Sequence, residues 1–173
     1  DGLIFDLGIS NTQLNNPTRG FSFSKNGPLD MRMDVRNLDL TAQKIINEFD
    51  QNNLSDIFYY YGEERNSKKI AKKIIEFRKR KKISTTFELV ELIKKVNNYK
   101  KKHPATRVFQ ALRIYINDEL NELDITLKKS LLFLKKKGKI ITVAFHSLED
   151  KVIKNFFSRN KEFLKILTKK PIT

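Results

Sequence analysis

Hydrophobic positions change their period twice along this chain, and each change predicts a different kind of element. Residues 2 to 7 are a short, mostly apolar run closed by Gly8, the pattern of a central strand in a parallel sheet rather than of a half-exposed antiparallel one. From Gly8 to about Asp34 the chain is rich in Asn, Ser, Pro and Gly, including Asn15-Asn16-Pro17 and Asn26-Gly27-Pro28, so regular structure is not expected there. So long a loop inside a compact domain is usually functional. From Thr41 to about Val96 the apolar residues recur at threes and fours: Ile45, Ile46 and Phe49, then Ile70, Ile74 and Phe77, then Phe87, Val90, Ile93 and Val96. This spacing predicts three or four short helices. Thr85-Thr86-Phe87-Glu88 matches a capping box opening the last of them, because a threonine hydroxyl and a glutamate three positions on satisfy each other's free backbone amides.

After a basic linker ending at His103-Pro104, residues 106 to 116 and 118 to 134 read as helices. The second carries Leu120, Leu123, Leu127, Leu131 and Leu134 along one face, which should lie on a sheet. Gly138 ends that helix, and Lys139 to Phe145 form a β-branched strand. Ser147 then opens a helix bearing Val152, Ile153, Phe156 and Phe157. Strand, crossover helix, strand, helix is the order of a doubly wound sheet, so the fold class is α/β. Residues 1–40 and 103–173 are assigned to the sheet domain and 41–102 to a helical insertion. The chain begins at Asp1 without an initiator Met and runs directly into a strand, so the sheet is expected to be incomplete, with something missing upstream.

Composition narrows the functional classes. With 173 residues and 39% hydrophobic content the chain can build a core. It has no cysteine, which removes disulfides, thiolate metal sites and cysteine nucleophiles together. With only His103 and His146, a histidine metal site is poorly supplied, and no metal is assigned. No run of eighteen apolar residues and no secretory start appear, so a soluble cytoplasmic protein without a membrane partner is expected. Thirty-five Lys and Arg against twenty Asp and Glu give a net charge of +15, the profile of a protein that meets a polyanion. A drift of the whole composition toward Lys, Asn and Ile would also give the runs Lys79-Arg80-Lys81-Lys82, Lys100-Lys101-Lys102 and Lys135-Lys136-Lys137.

Ligands of open α/β sheets sit beyond the carboxyl ends of the strands, which is where Asp6 with Leu7-Gly8, and His146 with Ser147, fall. The residues here also carry a family resemblance. Asp1-Gly2-Leu3-Ile4-Phe5-Asp6-Leu7-Gly8-Ile9-Ser10, Gln13-Leu14, Arg19-Gly20-Phe21-Ser22-Phe23 and Gly27-Pro28-Leu29-Asp30-Met31-Arg32-Met33-Asp34 resemble the signature of the MraW/RsmH family. The likeness continues through Tyr61-Gly62-Glu63-Glu64-Arg65, through His103 to Ile114, and through Phe145-His146-Ser147-Leu148-Glu149-Asp150. The resemblance implies a class I, Rossmann-like methyltransferase that uses S-adenosyl-L-methionine to methylate the exocyclic N4 of a cytosine in small-subunit (16S) ribosomal RNA. It also implies that the family's glycine-rich cofactor loop lies before Asp1 and its basic tail after Thr173. By the same resemblance, Asp6 and Gln13 touch the cofactor. A carboxylate can accept from an amine or adenine amino group, and an amide can donate and accept. The plainer reading makes Asp6 a cap at the strand-to-loop turn and Gln13 an exposed loop residue.

Substrate contacts are assigned to Arg19, Asp30, Arg32, Arg107 and His146. Arg19 with Phe21 and Phe23 offers a cation and stacking faces for an unstacked base, although two phenylalanines in a loop more often anchor it to a core. Asp30, Arg32 and Asp34 either shape the base pocket or tie the loop down by ion pairs. Arg107, near a helix start, is the phosphate candidate, while Arg113 is read as structural. Ser147 and Asp150 have capping-box spacing, and His146 is a lone histidine at a strand end that touches base or phosphate. An Asp/Asn-Pro-Pro-aromatic motif does not follow the first strand, so no acceptor for the cytosine amine and no catalytic base are named. The target base must leave its stack to be reached. Two other classes compete: a non-catalytic RNA-binding or ribosome-associated domain, and a nucleotide-binding α/β enzyme of another kind, which lacks a Gly-x-Gly-x-x-Gly loop here.

Overall fold

A computed structural model describes residues 1–99 and 102–168 of the chain. Lys100 and Lys101 of the basic linker lie outside the described residues. The elements run β1 (Gly2–Asp6), α1 (Asn11–Asn15), a 3₁₀ turn (Pro17–Arg19), α2 (Ala42–Glu48), α3 (Gln51–Gly62), α4 (Ser67–Arg78), α5 (Thr86–Lys94), α6 (Thr106–Ile116), α7 (Glu119–Phe133), β2 (Lys139–Val143) and α8 (Ser147–Arg159). The chain divides into two compact units, Asp1–Gly8 with Glu119–Thr173, and Ile9–Asp118. The division falls elsewhere than the sequence pattern placed it. The loop after Gly8 and helix α6 both belong to the helical unit.

The reason lies in what those segments bury. Phe21, Leu29 and Met31 from the loop, and Val108, Phe109, Ala111 and Leu112 from α6, sit in one core with Ile45, Ile46, Leu54, Phe58, Ile70 and Ile74. An antiparallel bridge pairs Pro28 with Thr85, and the Thr86 amide donates to the Gly27 carbonyl at 2.9 Å. The long loop thereby gains a fixed seat at the start of α5. That helix opens on the expected capping box, Thr85 accepting from the Glu88 amide while the Glu88 carboxylate returns a bond to the Thr85 amide. Helix α3 packs between α4 and α6. At Gly62 an added Cβ would stand 2.4 Å from the Arg107 carbonyl oxygen, so the close approach of α3 to α6 requires glycine.

Two short elements interrupt the segment read as irregular. Ser10 caps α1 by accepting from the Gln13 amide at 3.3 Å, while the Gln13 side-chain oxygen accepts from the Ser10 amide at 3.0 Å. Asn16 caps the 3₁₀ turn that starts at Pro17. Gly20 ends it with φ 72°, and a Cβ there would meet the Pro28 carbonyl oxygen at 2.1 Å.

In the other unit β1 and β2 pair in parallel, with Ile4 opposite Ile141 and Asp6 opposite Val143. Phe5, Leu7 and Ile140 pack with Leu123, Leu127 and Leu131 of α7 and with Val152, Ile153, Phe156 and Phe157 of α8, as the apolar stripes predicted. The alternate residues Ile4, Ile141 and Val143 are 72%, 51% and 41% exposed, because successive strand side chains point to opposite faces and the helices cover only one. Between the units α6 and α7 are separated at Asp118, whose φ of 47° breaks the helical run. Among the described residues no helix is long and apolar enough to cross a membrane.

Candidate functional site

The carboxyl ends of both parallel strands lie in one unit, and each carries a residue singled out from the sequence. Asp6 closes β1 with its side chain exposed, and the Leu7 amide donates to the Val143 carbonyl at 3.2 Å. Gly8 then turns with φ 92°. Beyond β2, Phe145 is 70% exposed and His146 forms the N-cap of α8. The capping box here is one residue earlier than the Ser147/Asp150 spacing suggested. His146 Nδ1 accepts from the Glu149 amide at 3.3 Å, and the buried Glu149 carboxylate accepts from the Phe145 amide at 2.8 Å. Asp150 instead pairs with Lys154, one turn on.

Nε2 of His146 is buried 3.1 Å from a Glu149 carboxylate oxygen without the alignment of a hydrogen bond. Through its Nδ1 the ring takes part in starting α8.

In the helical unit Arg19, Asp30 and Arg32 come together as one network. Asp30 receives both Nε and a terminal nitrogen of Arg32 at 2.8 Å, a two-point contact that fixes the guanidinium plane. This bond holds the Asp30 carboxyl below the usual carboxylate range, with burial acting against it. Arg32 also donates to the Leu38 carbonyl at 2.7 Å. Arg19 donates to the Arg32 and Met33 carbonyls at 2.8 and 3.0 Å and lies over the Phe21 ring. Asn117 completes the frame, accepting from the Met33 amide at 2.6 Å and donating to the Met31 carbonyl at 2.8 Å. These bonds hold Met31, fully buried at φ 63°, in a left-handed conformation that an unbranched side chain tolerates only under restraint. Asp34 caps the amides of Arg36 and Asn37.

Phe21 is buried and Phe23 packs on the core with its ring stacked on His103 at 4.4 Å. Both anchor the loop, and the Phe21 ring has no face open to a base. Arg107 lies over the Tyr99 ring at 5.6 Å, and the Tyr99 hydroxyl donates to Glu64 at 2.6 Å. Burial, then the Glu64 bond, raises the Tyr99 hydroxyl above its ordinary range. Glu64 is fully buried and also accepts from the Asn66 amide at 2.8 Å and from Asn97 at 3.0 Å, three donors that offset its desolvation.

The structure thus groups Asp6 and His146 in the sheet unit, and Arg19, Asp30 and Arg32 in one network of the helical unit. Gln13 stands apart on α1 and Arg107 on α6. Sequence reasoning did not single out Asn117, Asn97 or Tyr99. Each acts through a partner more than thirty positions away, and of the three only Asn117 stands directly at a helix end.

Across its whole length, residues 1–173, the chain matches the MraW methylase family. It belongs to that family. Among curated relatives it is 50% identical over 175 residues to a protein of Hydrogenobaculum sp. named ribosomal RNA small subunit methyltransferase H, covering 100% of this chain and 58% of the relative. Proteins of the same name from Sulfurihydrogenibium azorense and Trichodesmium erythraeum are 48% and 51% identical, each over 99% of this chain and 60% of the relative. The chain therefore spans about three-fifths of the length of these relatives. The blocks around Asp6, Arg19, Asp30 and His146 lie inside the family match.

Proposed function

We propose that this chain is part of an S-adenosylmethionine-dependent methyltransferase that modifies the exocyclic N4 of a cytosine in small-subunit ribosomal RNA, acting in the cytoplasm on the ribosomal RNA or the ribosomal subunit. The family match over residues 1–173, with relatives named as small-subunit ribosomal RNA methyltransferases, carries this reading. The acceptor chemistry at the end of β1 supports the cofactor. Asp6 offers an exposed carboxylate to amino groups beside the apolar surface of Ile4, Ile141, Val143 and Phe145, which suits an adenosyl group. The side-chain oxygen of Gln13 is already used by Ser10, so its contribution in this reading comes from the amide hydrogens.

The chemistry that bound S-adenosylmethionine supplies is a methyl group on a cationic sulfur. The part left to the chain's own residues is positioning. In this reading Asp6 fixes the cofactor, and His146 holds the mouth of β2 rigid by capping α8. The Arg19–Asp30–Arg32 network holds the loop against which an extruded base would rest, and Arg107 offers a guanidinium on a helix start. The test uses a full-length protein assembled from this chain and the portion of the Hydrogenobaculum relative that it leaves unmatched. Asp6→Ala should weaken S-adenosylmethionine binding at least about tenfold in calorimetry, since a charge-assisted hydrogen bond contributes about 1.5–3 kcal/mol. Tritiated-methyl transfer to small ribosomal subunits should fall with it. Unchanged affinity, or transfer to a base nitrogen other than cytosine N4, refutes the assignment.

A further inference from the structure

The outward face of α4 is a line of cations. Lys68, Lys69 and Lys72 on the helix, Lys79 at its C-cap, and Arg65 and Arg80 on either side are all exposed. At 3.6 residues per turn Lys68, Lys69, Lys72 and Lys79 occupy a sector roughly 100° wide, opposite the buried Ser67, Ile70, Ala71 and Ile74. Lys68 to Lys79 alone extends about 16 Å along the axis at 1.5 Å per residue. None of the six side chains makes a hydrogen bond or ion pair among the described residues. Glu76 is the one carboxylate in the sector, and it faces Lys73, at 4.0 Å.

A general enrichment in lysine does not account for this face. On α5, α7 and α8 one lysine each is paired with an acid a turn away, Lys94 with Glu91, Lys128 with Asp124 and Lys154 with Asp150. On α4 Lys73 is so paired, with Glu76, which leaves a cluster of four, Lys68, Lys69, Lys72 and Lys79, without a carboxylate partner among the described residues. On α4 the arrangement opposes the helix itself. Its first turn contains Lys68 and Lys69 and no acid, against the positive end of the macrodipole, and Asn66 supplies no side-chain cap. Lys68 and Lys72 are like charges four apart, which is also destabilising. Such a conflict between local electrostatics and fold is expected where a ligand supplies the missing anions. An anionic membrane fits poorly, because an interfacial helix must expose its apolar face and that of α4 is buried in the core.

We propose that the outward face of α4 is a track for an RNA backbone, with successive phosphates lying along Lys68, Lys69, Lys72 and Lys79. Naming RNA rests on the function proposed above; the track itself rests on the charge geometry. The experiment measures binding of a small-subunit ribosomal RNA fragment to the 173-residue chain as a function of salt. One variant carries Lys→Gln at 68, 69, 72 and 79. A control of equal charge loss carries Lys→Gln at 129, 136, 151 and 161, exposed positions of the other unit. The track variant should lose at least tenfold in affinity at low salt, and its slope of log K against log salt should shrink by about 3, at about 0.7–0.9 per lost phosphate contact over four contacts. The control should stay within about threefold, with a slope within one of the parent. The track variant should also melt no lower than the parent, since its helix is relieved of repulsion.

Equal losses in the two variants would overturn the track in favour of diffuse charge, and so would a parent chain that binds anionic vesicles but not RNA. If the four-site variant fails to fold, the Lys68→Gln/Lys72→Gln pair decides by the same comparison, with a slope change of about 1.5. A difference between track and control alongside unchanged cofactor affinity in the Asp6→Ala protein would leave the track standing and the methyltransferase reading refuted.

Discussion

Phe58 on α3 and Ile141 on β2 are both apolar residues in the middle of regular elements, yet Phe58 is fully buried and Ile141 is 51% exposed. The helical unit surrounds its core on all sides with α2 to α6 and the seated loop. The sheet unit has helices on one face of two strands, and its other face presents Ile4, Ile141 and Val143 beside Phe145. A helix closes its own backbone hydrogen bonds, so a bundle is finished once its apolar stripes meet. A two-stranded sheet leaves both outer edges and one face open. Of the two residues assigned to the cofactor, Asp6 stands at the end of that open arrangement while Gln13 belongs to the helical unit. The helical unit therefore has the more self-sufficient packing, while Asp6 sits on the less covered piece.

Truncation of the two cores should expose that contrast most strongly. Phe58→Ala removes a ring with no exposed surface and should lower the stability of the helical unit by about 3–5 kcal/mol in urea denaturation followed by far-ultraviolet circular dichroism. A loss under about 1 kcal/mol would mean that the helical core is looser than its burial indicates.

Acid should weaken the helical unit in part through the capping carboxylate of Glu88. The Lys81 ammonium, and then the Ser84 amide, lower Glu88 from 4.5 to about 2. A depressed folded-state value makes the unfolded chain the better proton binder between those limits. The stabilisation is thus complete above about 4.5 and fades as pH falls toward 2. Thermal melts should show Glu88→Gln less stable than the parent at pH 6 and the gap closing by pH 2. A gap that stays constant across this range would remove Glu88 from the account.

The smallest expected effect is at the open face. Ile141→Thr, in which a β-branched residue is kept, should change the stability of the chain by no more than about 0.5 kcal/mol. It should also reduce self-association in sedimentation, because an exposed apolar strand face is a contact surface. A loss above about 2 kcal/mol would show that the face is covered in solution.

Much of this architecture was legible in the chain because periodicity records burial directly. The threes and fours of residues 41–96 gave the helices, the Leu stripe of α7 and the apolar stripe of α8 found the sheet, and Thr85-x-x-Glu88 marked a helix start. Two parallel strands with helices on one face are consistent with the doubly wound expectation, which needs more strands and helices on both faces. Local spacing failed where two signals overlapped. Ser147-x-x-Asp150 and His146-x-x-Glu149 both fit a capping box, and histidine is an uncommon cap, so the chain alone favoured the wrong register.

What the sequence determined by itself was the set of contacts made between near neighbours: strands, helices, most caps, the net charge, and the family wording around Asp6, Arg19, Asp30 and His146. Tertiary structure decided the domain division, seating the loop at Thr85 and drawing α6 into the helical core. It turned Arg19, Asp30, Arg32 and Asn117 into one network and buried Glu64 among three donors. Such outcomes depend on pairings between residues tens of positions apart, such as Met33 with Asn117 and Glu64 with Tyr99. Hydrophobic period fixes which face of an element turns inward, but it carries no information about which distant polar group will be waiting there.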